Sequence, residues 1–527
     1  MDFHIASVAL TYSAYTAQIL RVLSEKQPWD PTTLLLLESA DITTRAGEHS
    51  LAVLTASMRL TCMGNEVSVQ SLTASGEAIR QDLEKDLAEK CHVQNHRLIF
   101  EPSQAIDEKQ RLLATSTVEA LRYLQQHPGL DHPLLPLVGG VFAFDYLETF
   151  ESLPAVMPGA NTCPDYQFVV AEILLSVDHV QKTAELVGIG EEKHFKALCT
   201  QMDELAAVLE EARQQVENAQ EKNLNTDAGT RPRLVATADM TDAEFTTQVE
   251  RLKEFITQGD IYQVVPARAF RVSCDDAPGA YLSLKHSNPS PYMFFMRGID
   301  SEGKPFELFG ASPESNLKYD AAHHNVTLYP IAGTRPRGRN ADGSINHELD
   351  IRAELELRTD AKEIAEHTML VDLARNDVAR VSAPGSRHVT RLLDVDRYQF
   401  VMHLVSQVSG RLQEGLDALD AYRACMNMGT LTGAPKIRAA QLLRLVEGKR
   451  RGSYGGAIGY IRGDGSMDTC IVIRSAFVQD ATACVQAGAG VVRDSNPQSE
   501  ADETLNKARA VLEAIAASKN ATLEVIR

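Results

Sequence analysis

The segment that decides the fold class is TDAEFTTQVERLKEFITQGDIYQVVPA (residues 241–267), in which a helix signal is followed directly by a strand signal. Thr241 stands three residues before Glu244, a spacing typical of a capping box at a helix start. Apolar residues recur at positions 245, 249, 252, 255 and 256, which places them on one face of a helix. Gly259 predicts the end of that helix, and a strand is predicted from Ile261.

Outward from this segment, strand and helix signals continue without regular alternation. Short apolar and β-branched runs broken by Gly, Asp and Asn predict strands at 10–15, 33–39, 50–64, 66–72, 96–100, 139–146 and 168–178. Helical periodicity predicts helices at 194–222, 360–379 and 500–517 and another before Gly429, with a strand pair at 456–461 and 471–478. Because these elements do not alternate as βαβ units, the pattern predicts an α+β fold.

One polar stretch marks a candidate boundary between two regions. Residues 223–233, NLNTDAGTRPR, are polar and contain Gly and Pro, which is typical of an exposed linker. The sequence therefore predicts an N-terminal region at 1–222, a linker at 223–240 and a C-terminal region at 241–527.

Composition and charge narrow the functional class. The chain has 527 residues and a formal net charge of −19, which argues against a nucleic-acid partner. None of the eight cysteines forms a CxxC pair, which fits a reducing compartment and argues against a zinc cluster. The N-terminus lacks the basic residues of a signal peptide, and no apolar run approaches membrane-spanning length. We expect a soluble cytoplasmic protein with no membrane partner.

Two acidic helix starts are candidate metal ligands. Glu363 and Glu366 share one helix face in DAKEIAEHTMLVDLARNDVAR (360–380), and Glu500, Glu503 and Lys507 share another near the C-terminus. Each pattern alone fits a solvated first turn favoured by the helix dipole. If the two helices faced each other, their carboxylates would offer the oxygen ligands that Mg²⁺ prefers. Spacing alone does not decide between these readings.

Glycine-rich and apolar segments supply further candidates. The stretches IAGTRPRG (331–338), MGTLTGAPK (428–436) and GAGVVRDS (488–495) fit tight turns or anion cradles, and none matches a nucleotide-binding fingerprint. Tyr454 and Arg474 lie near apolar strands, and a buried arginine needs a partner such as a substrate carboxylate. His403, also flanked by apolar residues, fits either a core histidine or a catalyst.

Taken together and in this order, the motifs resemble those of the chorismate-utilising enzymes. The matching stretches are GDIYQVVPAR, ASPES, IAGTRPRG, KEIAEHTMLVDLARND, HLVSQVSG, GTLTGAPKIRA, SYGGAIGYI, IVIRSA, AGAGVVRDS and SEADETLNKA. The resemblance implies large, mostly antiparallel sheets packed as a β-sandwich with helices outside. It also implies a Mg²⁺-dependent enzyme that acts on chorismate.

The resemblance assigns roles to individual residues. Glu366 and Glu503 would hold Mg²⁺, and Glu363 and Glu500 would lie beside them and position the water ligands of the metal. Gly333 and Thr334 would line the ring site, His403 would act as general acid, and Glu314 and Thr334 are further catalytic candidates. The enolpyruvyl carboxylate would be bound by Tyr454, Arg474 and the amides of Gly488, Ala489 and Gly490, and Lys507 is a further substrate-binding residue.

Two positions separate the branches of this family. Aminodeoxychorismate synthases typically carry lysine where this chain has Ala332, and isochorismate and salicylate synthases carry a lysine base where it has Gln263. A neutral glutamine cannot deprotonate water, whereas ammonia arrives already nucleophilic. Both differences favour the anthranilate synthases. An aminodeoxychorismate synthase component or a catalytically silent tryptophan-sensing scaffold are the alternatives.

The resemblance also implies a partner and a regulator. No cysteine has the glycine-flanked setting of a glutaminase nucleophile, so we expect ammonia from a separate glutamine amidotransferase subunit, in a heterotetramer of two of each. LLLLES (34–39) and NPSPYMFF (288–295) resemble the tryptophan-binding segments of regulated relatives. The implied inhibitor site comprises Glu38, Ser39, Asn288, Pro291, Tyr292, Met293 and Cys470.

Overall fold

The computed structural model describes residues 3–26, 32–40, 47–125, 132–220, 231–340, 342–397 and 401–527. Its helices are α1 (Thr16–Lys26), α2 (Ala74–Asp86), α3 (Glu108–Leu113), α4 (Val118–Gln125), α5 (Phe195–Gln220), α6 (Asp242–Thr257), α7 (Ala277–Ser287), α8 (His347–Thr359), α9 (Ala361–Val381), α10 (Ala418–Cys425), α11 (Lys436–Glu447) and α12 (Pro497–Ser518).

The strands of the N-terminal region are β1 (Phe3–Leu10), β2 (Leu35–Ala40), β3 (Gly47–Met63), β4 (Glu66–Ser71), β5 (His92–Gln94), β6 (Arg97–Ile99), β7 (Leu137–Phe142), β8 (Tyr166–Asp178) and β9 (Thr183–Glu191). Those that follow are β10 (Arg233–Ala238), β11 (Gln263–Val264), β12 (Ala267–Ser273), β13 (Tyr292–Ile299), β14 (Pro305–Ser312), β15 (Ser315–Asp320), β16 (Asn325–Leu328), β17 (Ile331–Pro336), β18 (His388–Arg397), β19 (Val401–Arg411), β20 (Gly433–Ala434), β21 (Ala457–Arg462), β22 (Met467–Ile471), β23 (Ser475–Gln479), β24 (Thr482–Gly488) and β25 (Thr522–Ile526).

Helix α6 begins as the sequence predicts. The Thr241 hydroxyl accepts a hydrogen bond from the Glu244 amide, and the Glu244 carboxylate accepts one from the Thr241 amide at 2.7 Å, which completes the capping box. Phe245, Val249 and Leu252 are the buried residues of the predicted apolar face. Local sequence therefore fixes both the start and the orientation of this helix.

Strand pairing joins the two ends of the chain into one sheet system. A continuous circuit runs through β14, β13, β2, β3, β8, β7, β21, β22 and β15, and the chain passes directly from β14 to β15. Among the described strands the pairings are antiparallel except between β10 and β25. Apolar residues from β2, β3, β13 and β21 of this circuit pack into one cluster, and helices surround the sheet, so the predicted α+β sandwich class is confirmed.

Three large apolar clusters hold this arrangement together. One lies between the sandwich layers and includes Leu35, Val53, Phe294 and Ile458. The other two bury the helices against the outer sheet faces: α4, α9 and α10 contribute to the first, and α1, α5, α7 and α12 to the second. Burial of this apolar surface is the main stabilising term, at roughly 25 cal/mol per Å².

Several element predictions need correction. The strand predicted at 10–15 is wrong, because Leu10 ends β1 and residues 11–15 form no strand. The strand predicted at 139–146 ends at Phe142 and is followed by a 3-10 helix. The run 471–478 is broken at Arg474, whose φ of 49° lies in the left-handed region, so it contributes to both β22 and β23. A strand cannot pass through that conformation.

The linker predicted at 223–240 contains a strand in its second half. Residues 221–230 lie outside the described residues, but Arg233–Ala238 form β10, which pairs with β25 and β12. Strands on the two sides of this segment also pair with each other, as β2 does with β13 and β7 with β21. Within the described ranges, no helix has both the length and the apolar character that crossing a membrane requires.

Candidate functional site

A cavity of about 420 Å³ lies where the chain crosses between the sandwich layers. The β14–β15 and β22–β23 crossings supply two walls, and the first turns of α9 and α12 supply another. The predicted catalytic, substrate and metal residues lining it are Glu314, Gly333, Thr334, Glu363, Glu366, His403, Tyr454, Arg474, Gly488, Gly490, Glu500, Glu503 and Lys507. Long-range strand pairing therefore assembles groups that are far apart in sequence.

The two acidic helix starts meet in this cavity. Burial raises the pKa of Glu366, and the neighbouring charges of Glu363 and Glu503 add to that effect. Burial also raises the pKa of Glu500, again with a contribution from Glu503. These carboxylates are therefore close enough to repel each other, and a cation between them would relieve the repulsion.

Several oxygens of these carboxylates form hydrogen bonds or ion pairs with neighbouring side chains. Gln263 donates to Glu366 at 3.1 Å, Arg335 pairs with Glu363 at 2.7 Å, and Lys507 pairs with Glu503 at 2.6 Å. In the described part of the chain, no three His, Cys, Asp or Glu side chains form a preorganised metal cluster. The donor set still fits Mg²⁺, which prefers a few carboxylates together with water and substrate oxygens.

Thr334 and His403 form a polar pair on adjacent strands. They face each other in the β17–β19 register, and the Thr334 hydroxyl lies 2.8 Å from His403 Nδ1. Gly333 precedes them with a φ of 89°, and a Cβ there would lie 3.2 Å from Glu363 Oε2. Glycine therefore allows the strand to approach the acidic helix.

Glu314 is a buried carboxyl group at the β14–β15 crossing. It is 8% exposed, and its side chain accepts a hydrogen bond from Thr430 at 2.9 Å. Burial raises its pKa to about 8, so it is mainly protonated at neutral pH. A carboxyl group in that state can donate a proton to a reacting group.

Arg474 and Tyr454 also line the cavity. Arg474 Nη1 donates to the backbone carbonyl oxygen of Lys507 at 3.0 Å, and burial lowers the pKa of its guanidinium. Burial raises the pKa of Tyr454 to about 12, so its hydroxyl remains a hydrogen-bond donor. Lys507 also donates to the carbonyl oxygen of Gly488 at 3.0 Å. These cationic and donor groups can bind a carboxylate.

The glycine segment after β24 differs from its prediction at one residue. Gly488 and Gly490 line the cavity, and a Cβ at Gly490 would lie 3.0 Å from Gln263 Nε2. The Ala489 amide instead donates to the Pro266 carbonyl oxygen at 3.1 Å, so it is engaged within the protein. Because this amide is already bound to Pro266 and Ala489 does not line the cavity, the predicted use of the Ala489 amide in carboxylate binding is not supported.

Three residues that sequence reasoning did not assign also belong to the site. Arg335 pairs with Asp360 and Glu363, Thr430 holds Glu314, and Gln486 lines the cavity. Arg335 and Thr430 lie inside two of the glycine-rich segments described above, 331–338 and 428–436. Their partners lie on other elements, so local pattern gives no signal for their contacts.

A second, larger cavity of about 870 Å³ lies beside the first. The predicted inhibitor residues that line it are Glu38, Ser39, Pro291, Tyr292, Met293 and Cys470, whereas Asn288 is the C-cap residue after α7 and does not belong to this lining. Ser39 and Tyr292 are direct partners in the β2–β13 pairing. Pro313 and Ile331 line both cavities, so the two share a wall.

Glu38 is occupied by protein partners. Its carboxylate accepts hydrogen bonds from Tyr281 at 2.6 Å, Lys285 at 2.8 Å and Ser50 at 3.0 Å. Burial opposes its ionisation, but Lys285 and these hydrogen bonds outweigh burial and lower its pKa. The side chain therefore supports the cavity wall, and pairing with a ligand ammonium group would require it to leave Lys285.

Comparisons with known proteins show which family this chain is similar to. A family model described as chorismate binding enzyme matches residues 79–513. The chain is 49% identical over 516 residues to anthranilate synthase component 1 of Vibrio cholerae, covering 94% of this chain and 96% of that relative. It is also 49% identical over 503 residues to the protein of that name from Escherichia coli, covering 93% and 94%. The crystal structure of anthranilate synthase component I from Streptococcus pneumoniae matches with a TM-score of 0.64 and 29% identity, over 88% of this chain and 92% of that one.

Proposed function

Because the chain belongs to the chorismate-binding enzyme family, we propose that it is the large subunit of an anthranilate synthase, which converts chorismate and ammonia to anthranilate and pyruvate in tryptophan biosynthesis. The observation that carries this proposal is the single cavity lined by Glu366, Glu503, His403 and Arg474. A silent scaffold would have no need to keep two acidic helix starts and a general-acid candidate around one cavity.

The cavity residues suit the orientation of a dicarboxylate. Arg474, the Tyr454 hydroxyl and Lys507 line the cavity and would bind the enolpyruvyl carboxylate. Glu366 and Glu503 would hold Mg²⁺, with Glu363 and Glu500 positioning its water ligands, and Lys507 joins the two groups through its ion pair with Glu503. When bound, Mg²⁺ neutralises the ring carboxylate and provides Lewis acidity.

The proton transfers would be carried out by other residues that line the same cavity. His403 would protonate the hydroxyl that leaves ring carbon 4, and its contact with Thr334 fixes the orientation of the imidazole. Ammonia forms the new bond at carbon 2 as that hydroxyl departs. Loss of the carbon-2 proton and of pyruvate then makes the ring aromatic. Protonated Glu314 is a second proton donor within the same cavity.

The test is anthranilate fluorescence with chorismate, Mg²⁺ and an ammonium salt. Glu366→Gln and Glu503→Gln should each lower turnover by at least about tenfold, the scale of a lost ligand interaction. Matched controls are Asp372→Asn and Glu513→Gln, exposed carboxylates farther along the same two helices. If both glutamine variants keep wild-type turnover across a Mg²⁺ titration, the metal assignment is wrong. A wild-type protein that forms no anthranilate would overturn the activity itself.

Two observations support the proposal that this chain works with a partner subunit. The relatives are named component 1, and the cysteines of this chain do not suit a glutaminase nucleophile. A glutaminase requires a thiol whose pKa is lowered. Burial instead raises the thiol pKa of Cys62, Cys91, Cys163, Cys274, Cys425, Cys470 and Cys484. We therefore assign ammonia supply to a separate glutamine amidotransferase subunit.

The 870 Å³ cavity supports a proposal of feedback regulation by tryptophan. It offers the Ser39 hydroxyl, apolar side chains such as Met293 and Pro291, and room for an amino acid of that size. Its shared wall, at Pro313 and Ile331, gives a physical route by which an occupied second cavity would favour a conformation that binds chorismate poorly.

A further inference from the structure

A fully buried histidine stands behind the catalytic cavity and does not line it. His367 follows Glu366 directly on α9, is 0% exposed, and has hydrogen-bond partners at both ring nitrogens. Its Nδ1 lies 3.1 Å from the backbone carbonyl oxygen of Ala332 on β17, and its Nε2 lies 2.7 Å from the Ser406 hydroxyl on β19. One ring therefore joins three elements of the site.

The hydrogen bonds define the tautomer. A carbonyl oxygen can only accept, so Nδ1 of His367 carries the proton that is donated to Ala332. The Ser406 hydroxyl oxygen accepts the Leu393 amide at 3.0 Å, which leaves its own proton to donate to Nε2. The chain of donors runs from β18 through β19 and α9 to β17, and every member of it is satisfied.

Each end of this chain lies at an irregularity of the sheet. The β17–β19 register shifts between Ile331 and Thr334, so Ala332 lies outside the regular ladder. The β18–β19 register shifts between Arg391 and Asp394, beside Leu393. The imidazole and the hydroxyl thus supply the hydrogen bonds that the bulged backbone cannot make to its neighbouring strand.

The elements joined in this way carry the reacting groups. Helix α9 carries Glu366, β17 carries Thr334, and β19 carries His403 three residues before Ser406. We infer that His367 is a positioning residue, which sets the distance between the carboxylate helix and the strand pair that holds Thr334 and His403. This inference rests on the proposed function, because it concerns the alignment of that site.

The test uses variants that remove the hydrogen bonds of the His367 imidazole together or one at a time. His367→Leu removes both hydrogen bonds, His367→Asn retains a donor near the Nδ1 position, and Ser406→Ala removes only the Nε2 partner. Ser409→Ala is the matched control, because Ser409 is also a buried hydroxyl on β19, hydrogen-bonded to Thr327 at 3.2 Å. Steady-state kinetics with chorismate, Mg²⁺ and ammonium are measured beside thermal unfolding by circular dichroism.

We expect kcat to fall by about 10-fold to 100-fold in His367→Leu, since a misplacement near 1 Å has that effect. The KM for chorismate should change by less than about threefold, because the carboxylate-binding groups remain in place. His367→Asn should recover part of kcat, Ser406→Ala should lose an intermediate amount, and Ser409→Ala should retain wild-type kcat.

A purely structural role makes a different prediction. In that case kcat per folded molecule stays within about twofold of wild type in His367→Asn and Ser406→Ala while the unfolding temperature falls, and this outcome overturns the inference. If His367→Leu does not fold, the other two variants decide the question. A wild-type protein without anthranilate formation would instead refute the proposed function, so the two failures are distinguishable.

Discussion

At the scale of single residues, burial keeps the Glu314 carboxyl group protonated at neutral pH. Its carboxyl group lies inside the protein with Thr430 as its hydrogen-bond donor, and burial raises its pKa from 4.5 to about 8. Below pH 4.5 both folded and unfolded states are protonated. Between pH 4.5 and 8 the folded state keeps a proton that the unfolded state releases, so stability falls as pH rises through that window.

The Glu314→Gln variant should therefore lose this dependence. Relative to wild type, its free energy of unfolding should rise with pH between 4.5 and 8, by up to about 1.4 kcal/mol per pH unit for one proton. Denaturant unfolding at several pH values measures the difference, with the exposed Glu302→Gln as control. Parallel pH profiles for wild type and Glu314→Gln would contradict the assigned pKa.

Ser39 is the residue that tests the proposed tryptophan site in the 870 Å³ cavity. Ser39→Phe should relieve tryptophan inhibition while uninhibited turnover remains nearly unchanged, because the new ring occupies space in the 870 Å³ cavity beside the ligand position and Ser39 does not line the 420 Å³ cavity. Ser7→Phe, at an exposed serine of β1, is the control. A tryptophan titration decides the site, and unchanged inhibition in Ser39→Phe would refute it.

Calorimetry tests the coupling between the two cavities. Linkage requires chorismate to weaken tryptophan binding by the same factor by which tryptophan weakens chorismate binding. Equal tryptophan affinity with and without chorismate would show that the shared wall at Pro313 and Ile331 does not couple them.

At the scale of elements, a buried arginine fixes the helix that carries Glu500 and Glu503. Arg268 is 1% exposed and donates to the Thr504 hydroxyl and the Ala501 carbonyl oxygen of α12, each at 2.8 Å, and to Asp242 of α6 at 2.7 Å. These bonds hold the first turns of α12 against α6 and β12. The position of both carboxylates therefore depends on a residue outside the cavity.

Arg268→Met should destabilise the protein by about 3 kcal/mol, because it leaves buried acceptors without their donor. Arg271→Met is the control, since Arg271 is exposed on the same strand and its loss should cost less than about 0.5 kcal/mol. Urea unfolding monitored by circular dichroism measures both. Equal, small effects would mean that apolar packing alone positions α12.

At the scale of the whole molecule, the proposed need for a partner subunit can be tested by changing the source of ammonia. We expect the purified chain to form anthranilate from an ammonium salt but not from glutamine, because no cysteine has the glycine-flanked setting of a glutaminase nucleophile and burial raises the pKa of thiols such as those of Cys163 and Cys425. The measurement is anthranilate fluorescence with glutamine while free ammonia is scavenged. Glutamine-dependent product from the pure chain would refute the need for a partner.

The sequence by itself determined the features that depend on neighbours along the chain. The capping box at Thr241, the helices at α6, α9 and α12 and most strands of the first half follow from three-to-four-residue and two-residue periodicity. The family motifs also identified the cavity residues, since each lies in a short segment of recognisable pattern. Local prediction failed at Arg474, where a long-range crossing between layers imposes a left-handed backbone within an apolar run.

Only the tertiary structure decided which of these groups meet. Glu366 and Glu503 come together through strand pairing between distant segments, and Glu38 is held by Lys285 from another element. The same long-range packing removes Glu314 and His367 from water and selects their partners. Hydrogen bonds within a helix or turn are encoded within a few residues, whereas proximity, burial and pKa depend on strand register across the whole sandwich.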